Sequence, residues 1–175
     1  MRPPELSTDT APTLDVLKHA LSFMEEGNTE RYDMVLLLEP TSPIRTPTHI
    51  DSAIELLAAN DQLSGVVSVS EPFFNPVWVG VRPSEGDEAI LERYFKSGEG
   101  VSRRQDLDRF LHINGNFYVW RSEFVRTAEG MWFDAGPHGY VETEEIESFS
   151  IDDEREFKLI EALVQTGLVQ LPLPV

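Results

Sequence analysis

Short apolar segments alternate along the chain with longer segments whose apolar residues recur at helical spacing. The run Met34–Leu38 is continuously apolar, and residues 39–46 directly after it carry two prolines, hydroxyl groups and an arginine. Such a run predicts a strand buried on both faces inside a parallel sheet, and residues 65–70 predict a second strand. Ligands of open α/β sheets bind just beyond the carboxyl ends of strands, so residues 39–45 are predicted to form a ligand loop.

Amphipathic segments flank the predicted strands. Leucine spacing predicts a helix over about 13–26, and Pro47 favours the first turn of a second helix over about 46–59. A third helix, with an aspartate cap, is predicted over about 153–166. The alternation of helices and strands predicts a single α/β domain built on a parallel sheet.

The middle of the chain has a less regular pattern. Val77–Val81 predicts a short strand, and another short strand is predicted to end at Ile151. Residues 111–120 alternate in polarity around Asn114-Gly115. That pair predicts either a hairpin turn or a bulge where a ligand approaches the backbone.

Composition narrows the classes of partner. The 175 residues include 31 acidic and 14 basic side chains, for a formal net charge of −17. Because phosphate binding needs basic surface, this balance argues against nucleic acid, and an acidic protein that handles a nucleoside triphosphate should use Mg²⁺. No apolar stretch reaches the roughly 20 residues of a membrane span. With no signal pattern and no cysteine, the sequence favours a cytoplasmic protein, and its four histidines show no metal-ligand spacing.

Four collinear segments of this sequence resemble the acylneuraminate (CMP-sialic acid) cytidylyltransferases. These segments are Arg2-Pro3-Pro4-Glu5-Leu6-Ser7-Thr8-Asp9, Leu37-Leu38-Glu39-Pro40-Thr41-Ser42-Pro43-Ile44-Arg45, Arg103-Arg104-Gln105 with Asn114-Gly115-Asn116-Phe117-Tyr118, and Ser150-Ile151-Asp152-Asp153-Glu154.

The resemblance implies a Rossmann-like nucleotidyltransferase sheet in a three-layer α/β/α arrangement, covering residues 1–175 as a partial domain. It also implies a homodimer, with a dimerisation or flap element at about residues 82–112. The implied reaction transfers CMP from CTP to a nine-carbon acidic sugar, with Mg²⁺ and release of pyrophosphate.

The resemblance assigns nucleotide contacts to the start of the chain. Arg2, Ala11 and Thr13 are expected to hold the cytosine and ribose. Arg2 could instead be a solvated terminal arginine, and Thr13 could cap the first helix in addition to any contact with the nucleotide.

The expected sugar site draws on later segments, with Glu39, Ser42, Arg104, Tyr118, Trp132 and Phe133 as its residues. Glu39 stands where the family commonly has glutamine, which implies either a changed sugar specificity or a protonated carboxyl. Arg104 is expected to be catalytic by pairing with the sugar carboxylate, since a guanidinium fork matches that group. Ser42 and Arg45 could instead only shape the loop, and Trp132 and Phe133 could instead be core residues.

Asp152 is the expected catalytic ligand of Mg²⁺. An alternative is that Asp152 or Asp153 only caps the helix that follows. The family typically has Asp-Ile-Asp here, so Ser150 replaces one carboxylate with a hydroxyl. Asp153 is a poor substitute because adjacent residues of a strand point to opposite faces.

The chain begins within the first family motif, so we expect it to be N-terminally truncated, without the family's opening strand and phosphate-binding loop. A chain of this kind would have little or no transferase activity alone. The alternatives are a non-catalytic sugar-binding or dimerising remnant, or a related nucleotidyltransferase for another sugar acid, such as 3-deoxy-manno-octulosonate.

Overall fold

The computed structural model describes residues 2–27, 29, 31–98, 100 and 103–171, without the side chains of Glu88 and Arg104. Its helices are α1 (Thr13–Glu25), α2 (Pro47–Ala59), α3 (Pro76–Val79), α4 (Ser122–Thr127) and α5 (Glu154–Gln165). Its strands are β1 (Met34–Leu37), β2 (Gly65–Ser70), β3 (Val81–Ser84), β4 (Asp87–Arg93), β5 (His112–Arg121) and β6 (His138–Glu142). Among the described helices, none has the length and hydrophobicity that a bilayer crossing requires.

Four strands form the central sheet in the order β1-β5-β2-β6. β2 and β6 are parallel, whereas β5 runs antiparallel to both β1 and β2. The predicted α/β class is confirmed, but the purely parallel sheet is wrong because β5 is inserted between β1 and β2. The carboxyl ends of β1, β2 and β6 therefore meet at the edge of the sheet where β5 begins.

Helices cover both faces of this sheet, as the three-layer arrangement requires. On one face, α1 and α4 pack against β5 in a core cluster of Leu14, Leu17, Leu21, Trp120, Val125 and Ala128. The three leucines lie on one side of α1 because they recur at spacings of three and four residues. On the other face, α2 packs against β2 and β5 through a core cluster of Ala53, Leu57, Val66, Phe117 and Val119.

β1 is an edge strand of the described sheet. It pairs with β5 on one side only, with Leu37 opposite Tyr118. Leu36 and the following Leu38 are 39% and 41% exposed. The prediction that Met34–Leu38 is buried on both faces is therefore wrong, because both of these leucine side chains remain substantially exposed to solvent.

β5 contains an irregularity at Asn114-Gly115 rather than a hairpin turn, so the bulge is the correct alternative. The register with β2 shifts between Val67, opposite Tyr118, and Val69, opposite Ile113. Ser68 bridges the gap, because its hydroxyl donates to the Phe117 carbonyl at 3.2 Å and accepts from the Phe117 N–H at 3.1 Å. The bulge thus leaves no ladder group of Phe117 unpaired.

A separate antiparallel hairpin is formed by β3 and β4. The strand predicted over Val77–Val81 is wrong in its first part, where the chain forms the short helix α3. Asn75 starts that helix by accepting a hydrogen bond from the Val77 N–H at 2.9 Å, a cap that outweighs the strand propensity of the valines. Large apolar side chains of the hairpin region are exposed, namely Phe73, Phe74, Val79, Val81, Ile90, Leu91 and Tyr94.

The last helix has the predicted aspartate cap. Asp153 accepts from the N–H groups of Arg155 and Glu156, and the Glu156 carboxylate accepts from the Asp153 N–H in return. The short strand predicted to end at Ile151 is wrong, because residues 149–153 form no ladder. Ile151 makes instead one backbone bond, donating its N–H to the Thr41 carbonyl at 2.8 Å.

Candidate functional site

The loop after β1 and the bulge of β5 meet at the carboxyl edge of the sheet. Gly115 has a φ of +77°, and a Cβ added there would lie 3.7 Å from Ser42 Oγ, 3.7 Å from Tyr118 Oη and 3.8 Å from Glu39 Oε2. Three side-chain oxygens from two segments of the chain thus lie close to one position beside the backbone of Gly115. We call Glu39, Ser42, Gly115 and Tyr118 the Gly115 pocket.

The oxygens of the Gly115 pocket are available to a ligand. Glu39 and Ser42 use their backbone carbonyls in hydrogen bonds, and no protein hydrogen bond reaches the three side-chain oxygens within the described residues. Burial, and secondly the negative charge of Glu39, raises the pKa of Tyr118. The phenol is therefore protonated at neutral pH and can donate to a ligand.

Arg45 holds the loop in shape. Its Nη2 donates to the backbone carbonyls of both Glu39 and Ser42, and the Ser42 N–H donates to the Glu39 carbonyl at 3.1 Å. Burial lowers the pKa of Arg45, and the charge of Glu39 opposes that shift. Ile44 is fully buried in a cluster with Ile160 of α5, so the loop is anchored on the core. The loop-shaping interpretation of Arg45 is thus correct, whereas Ser42 also presents its hydroxyl to the pocket.

An aromatic cluster continues from Tyr118 away from the pocket. Tyr118 stacks on Trp120 with centroids 5.2 Å apart, and Trp132 meets both rings edge-on at 5.4 Å. Trp132 is partly buried against the core of α1 and α4. Phe133 is more exposed and packs on Trp132 and His138. Trp132 therefore contacts a residue of the pocket, Tyr118, directly, whereas Phe133 is linked to the pocket only through Trp132.

Asp152 lies on the exposed connection before α5. Its neighbour Ile151 is bonded to Thr41 of the loop after β1, which brings this connection to the same edge of the sheet. The Ser150 hydroxyl lies 3.4 Å from Asp152 Oδ2. Asp153, and not Asp152, is the helix cap, so the Asp152 carboxylate remains available for other contacts.

The predicted nucleotide residues all belong to the first 13 residues of the chain. Arg2 is exposed and donates from Nε to the Ser7 hydroxyl at 3.2 Å. The backbone N–H of Ala11 donates to the Thr8 carbonyl at 3.2 Å. Thr13 is the first residue of α1, and the capping alternative for it is wrong because Pro12 occupies the N-cap position. The side chain of Arg104 lies outside the described part of the structure.

Comparisons with known proteins agree on one family, although no family model matches the chain. The chain is 34% identical over 153 residues to the N-acylneuraminate cytidylyltransferase of Streptococcus agalactiae serotype III (strain NEM316), covering 87% of this chain and 33% of that protein. It is 31% identical over 160 residues to the enzyme of the same name from Escherichia coli O18:K1:H7 (strain RS218 / NMEC), covering 91% of this chain and 35% of that protein. Over most of its length, the chain is thus similar to acylneuraminate cytidylyltransferases.

Two further proteins that make CMP-sugars are similar to the chain. The CMP-N,N'-diacetyllegionaminic acid synthase of Legionella pneumophila subsp. pneumophila (strain Philadelphia 1 / ATCC 33152 / DSM 7513) is 29% identical, over 74% of this chain and half of that protein. The solved CMP:2-keto-3-deoxy-manno-octonic acid synthetase complexed with CTP shares the fold, with a TM-score of 0.60 at 14% identity, over 91% of this chain and 70% of that chain. The chain spans about a third of the length of the two cytidylyltransferases above.

Sequence reasoning missed a second polar group at the same edge of this cytidylyltransferase relative. Ser70 Oγ lies 2.6 Å from Glu145 Oε2 and 3.0 Å from His112 Nε2, and Glu145 Oε2 lies 2.8 Å from that same nitrogen. We call these residues the Ser70 cluster. His112 has no metal-ligand spacing in the sequence, and no local signal indicates that it, as the first residue of β5, lies opposite the last residue of β2.

Proposed function

We propose that this chain forms the sugar-binding part of a cytidylyltransferase. The enzyme transfers CMP from CTP to a nine-carbon acidic sugar, an N-acylneuraminate or a relative such as legionaminate, and releases pyrophosphate. The observation that carries this proposal is the convergence of Glu39, Ser42 and Tyr118 on Gly115. A polyhydroxylated sugar offers the hydrogen-bonding groups that these three oxygens lack in the protein.

In the proposed reaction, the anomeric hydroxyl oxygen of the sugar attacks the α-phosphorus of CTP. A phosphorus–oxygen bond forms to the sugar, the bond from that phosphorus to the β-phosphate oxygen breaks, and the hydroxyl proton passes to solvent. The protein contributes mainly by positioning the two substrates in line. Glu39, Ser42 and Tyr118 orient the sugar, with the aromatic cluster of Trp132 and Phe133 behind Tyr118, and Arg104 pairs with the sugar carboxylate.

The proposed metal ion is Mg²⁺, which neutralises charge on the phosphates when it is bound. We assign Asp152 as its protein ligand and Ser150 as a neighbouring hydroxyl. The described residues contain no cluster of three or more metal-binding side chains. Because Mg²⁺ usually takes one or two carboxylates together with substrate phosphates, this donor set fits an ion that arrives with CTP.

The nucleotide is proposed to lie at the start of α1. Arg2, Ala11 and Thr13 stand in the first family-like segment and are all at least partly exposed, which supports contacts to the cytosine and ribose. We further propose that the enzyme works in the cytoplasm, because its substrate CTP is an intracellular metabolite.

Calorimetry with the 175-residue chain tests the proposal. N-acetylneuraminate should bind, and Tyr118→Phe should weaken it about tenfold because one hydrogen bond is lost. Tyr140→Phe is the matched control, since Tyr140 is an exposed tyrosine of β6 outside the pocket. Absence of sugar binding, or equal effects of the two changes, would contradict the assignment.

A second measurement separates an enzyme from a sugar-binding remnant. The chain is mixed with CTP, Mg²⁺ and N-acetylneuraminate, and pyrophosphate is measured over time. Release that requires the sugar supports the transferase. Sugar binding with neither CTP binding nor pyrophosphate release favours the non-catalytic alternative.

We also propose that the chain forms a homodimer through the hairpin of β3 and β4. The support is the exposed apolar surface of that hairpin, since large exposed apolar patches mark interaction sites. Leu91→Glu should shift the mass measured by light scattering from dimer to monomer. Leu168→Glu is the control, because Leu168 is 65% exposed and Leu91 is 64% exposed. A monomeric parent chain would refute the dimer.

A further inference from the structure

Arginines are concentrated around one cavity at the edge of the sheet opposite the Gly115 pocket. The cavity has a volume of about 620 Å³, and its lining includes Arg31, Asp33, Arg121, Ser122, Glu123 and Arg126. Three arginines thus line one cavity in a chain that has only 14 basic residues and a net charge of −17. We call this cavity the arginine cavity.

The arginine cavity is separate from the proposed substrate site. β5 begins at His112, in the Ser70 cluster, and ends at Arg121. At about 3.3 Å per strand residue, the six steps from Gly115 to Arg121 correspond to about 20 Å. A small ligand in the arginine cavity therefore does not touch a sugar in the Gly115 pocket.

A buried carboxylate holds two of the arginines in place. Glu25 of α1 is only 6% exposed. It accepts from Arg31 Nη1 at 2.7 Å, from Arg126 Nη2 at 2.6 Å and from the backbone N–H of Tyr32 at 3.1 Å. The two guanidinium groups are therefore positioned before any ligand arrives, which lowers the entropic cost of binding one.

Several donors around the arginine cavity have no acceptor. Within the described residues, no hydrogen bond is made by Nε or Nη2 of Arg31 or by Nε of Arg126. The hydroxyl of Ser122, a residue that is 1% exposed, also has no partner in that part of the chain. Arg121 differs, because it donates to backbone carbonyls of α2 and the turn after it. Since a buried polar group without a partner is costly, a ligand rich in acceptors would stabilise this region.

The charges around the arginine cavity define how a ligand is recognised. Asp33 and Glu123 are exposed residues of the lining, and Glu123 approaches Arg126 only at 3.5 Å. Together with Glu25, they formally balance the three guanidinium groups. On a chain that is otherwise strongly acidic, this neutral region repels an anion least. Recognition here depends on directed N–H and O–H donors rather than on excess positive charge.

We propose that the arginine cavity binds a small molecule through a phosphate group. The phosphate oxygens accept from the unused N–H groups of Arg31 and Arg126 and from the Ser122 hydroxyl. Guanidinium groups match phosphate in geometry. A phosphate also has enough oxygens for donors from three residues, whereas a carboxylate has only two oxygens.

A titration followed by the backbone amide signals of the isotopically labelled 175-residue chain tests this site. At an ionic strength held constant with chloride, inorganic phosphate should shift the signals of Arg31, Ser122 and Arg126 in a saturable manner. Glycerol 1-phosphate distinguishes the source of the group: tighter binding than inorganic phosphate indicates an organic phosphate ester, and weaker binding indicates the free ion. Acetate should bind more weakly than either. Tighter binding of acetate, or phosphate shifts confined to residues 2–13 and Asp152, would overturn the proposal.

Ser122→Ala separates binding from folding in the same titration. It should weaken phosphate about tenfold, because a hydrogen bond to a charged group is lost. The melting temperature of the phosphate-free variant should be unchanged or higher, because the deleted hydroxyl has no partner in the described chain.

Arg31→Gln is the second variant, and it should also weaken phosphate about tenfold or more. Glu25 still keeps Arg126 as a partner in this variant. Arg155→Gln removes the same charge from an exposed residue of α5 and should leave the affinity unchanged. Equal losses in Arg31→Gln and Arg155→Gln, or an unchanged affinity in both Ser122→Ala and Arg31→Gln, would show that the cavity does not hold the phosphate.

Discussion

Two groups of polar side chains lie at the same edge of the sheet, and they differ in how their hydrogen bonds are satisfied. In the Ser70 cluster, three side chains from β2, β5 and the turn after β6 bond to one another at 2.6–3.0 Å. In the Gly115 pocket, three oxygens approach one point, and none of them bonds to another protein group of the described chain.

This difference separates a structural role from a binding role. Buried polar groups are stable when they pair within the protein, and each unpaired one costs about 1–3 kcal/mol. The Ser70 cluster therefore connects three elements and has little left to offer a ligand. The Gly115 pocket retains its capacity for hydrogen bonds, which a bound sugar can use.

The comparison predicts the largest loss of stability for the Ser70 cluster. Glu145→Ala removes the shared acceptor of Ser70 and His112 and should lower the free energy of unfolding by about 2–3 kcal/mol. Denaturant unfolding measures it, with Glu55→Ala of α2 as an exposed control. Sugar affinity at a temperature where the variant is folded should be unchanged. A large loss of sugar affinity with normal stability would place the cluster in the binding site.

A smaller effect is expected for two asparagines within the bulge of β5. The Asn114 side chain donates to Thr143 Oγ1 at 2.9 Å and accepts from the backbone N–H of Asn116. The buried side-chain amide of Asn116, in contrast, has no hydrogen-bond partner in the described chain. Leucine is similar in shape, so Asn114→Leu should lower the free energy of unfolding by about 1–2 kcal/mol, and Asn116→Leu should leave it unchanged or raise it. Equal losses in the same unfolding experiment would mean that pairing does not distinguish the two sites.

The smallest effect on the free energy of unfolding is expected for His138, which lies at the opposite edge of the sheet, at the start of β6. Its Nδ1 donates to the Gly136 carbonyl at 2.7 Å, and its Nε2 accepts from the Trp120 indole at 3.1 Å. Burial lowers the pKa of His138, and the bond to Gly136 opposes that shift. Because the pKa of His138 in the folded chain is below its ordinary value near 6.5, the unfolded chain binds the proton first as the pH falls. The contribution of neutral His138 to the free energy of unfolding is therefore complete above pH about 6.5 and decreases at lower pH.

A pH series of unfolding curves measures this contribution. Between about pH 7.5 and 5.5, the parent chain should lose more stability than His138→Gln, which keeps an acceptor for Trp120 but does not titrate. The difference should be below about 1 kcal/mol, because His138 is half-buried and solvent screens its charge. An equal or steeper loss in the variant would show that His138 is not the group responsible.

The three long helices α1, α2 and α5 and the first two strands could be predicted from the sequence because their signals are local. The leucines of α1, Pro47 at the start of α2 and the aspartate cap of α5 each act within one or two turns. The direction of β5 could not be predicted in this way, since strand pairing depends on contacts between residues far apart in the chain. For the same reason, the sequence did not show that β1 is an edge strand.

Residues of the candidate site were likewise predictable only where the sequence carries a local signal. The family-like segments predicted Glu39, Ser42 and Tyr118 as one site, and the structure brings these three together at Gly115. The Ser70 cluster has no local signal, because its members are 33 to 75 residues apart in the chain. The roles of Asp152, Arg104 and the residues near Arg2 remain predictions that depend on substrates as well as on the protein.

The most direct measurement of the central claim is a sugar titration followed by the backbone amide signals of the isotopically labelled chain. We predict that N-acetylneuraminate shifts the signals of Gly115 and of residues 39–45 in a saturable manner, with little change at Ser70 and His112. Saturable shifts confined to another surface, or no shifts at all, would contradict the account that the Gly115 pocket binds the sugar.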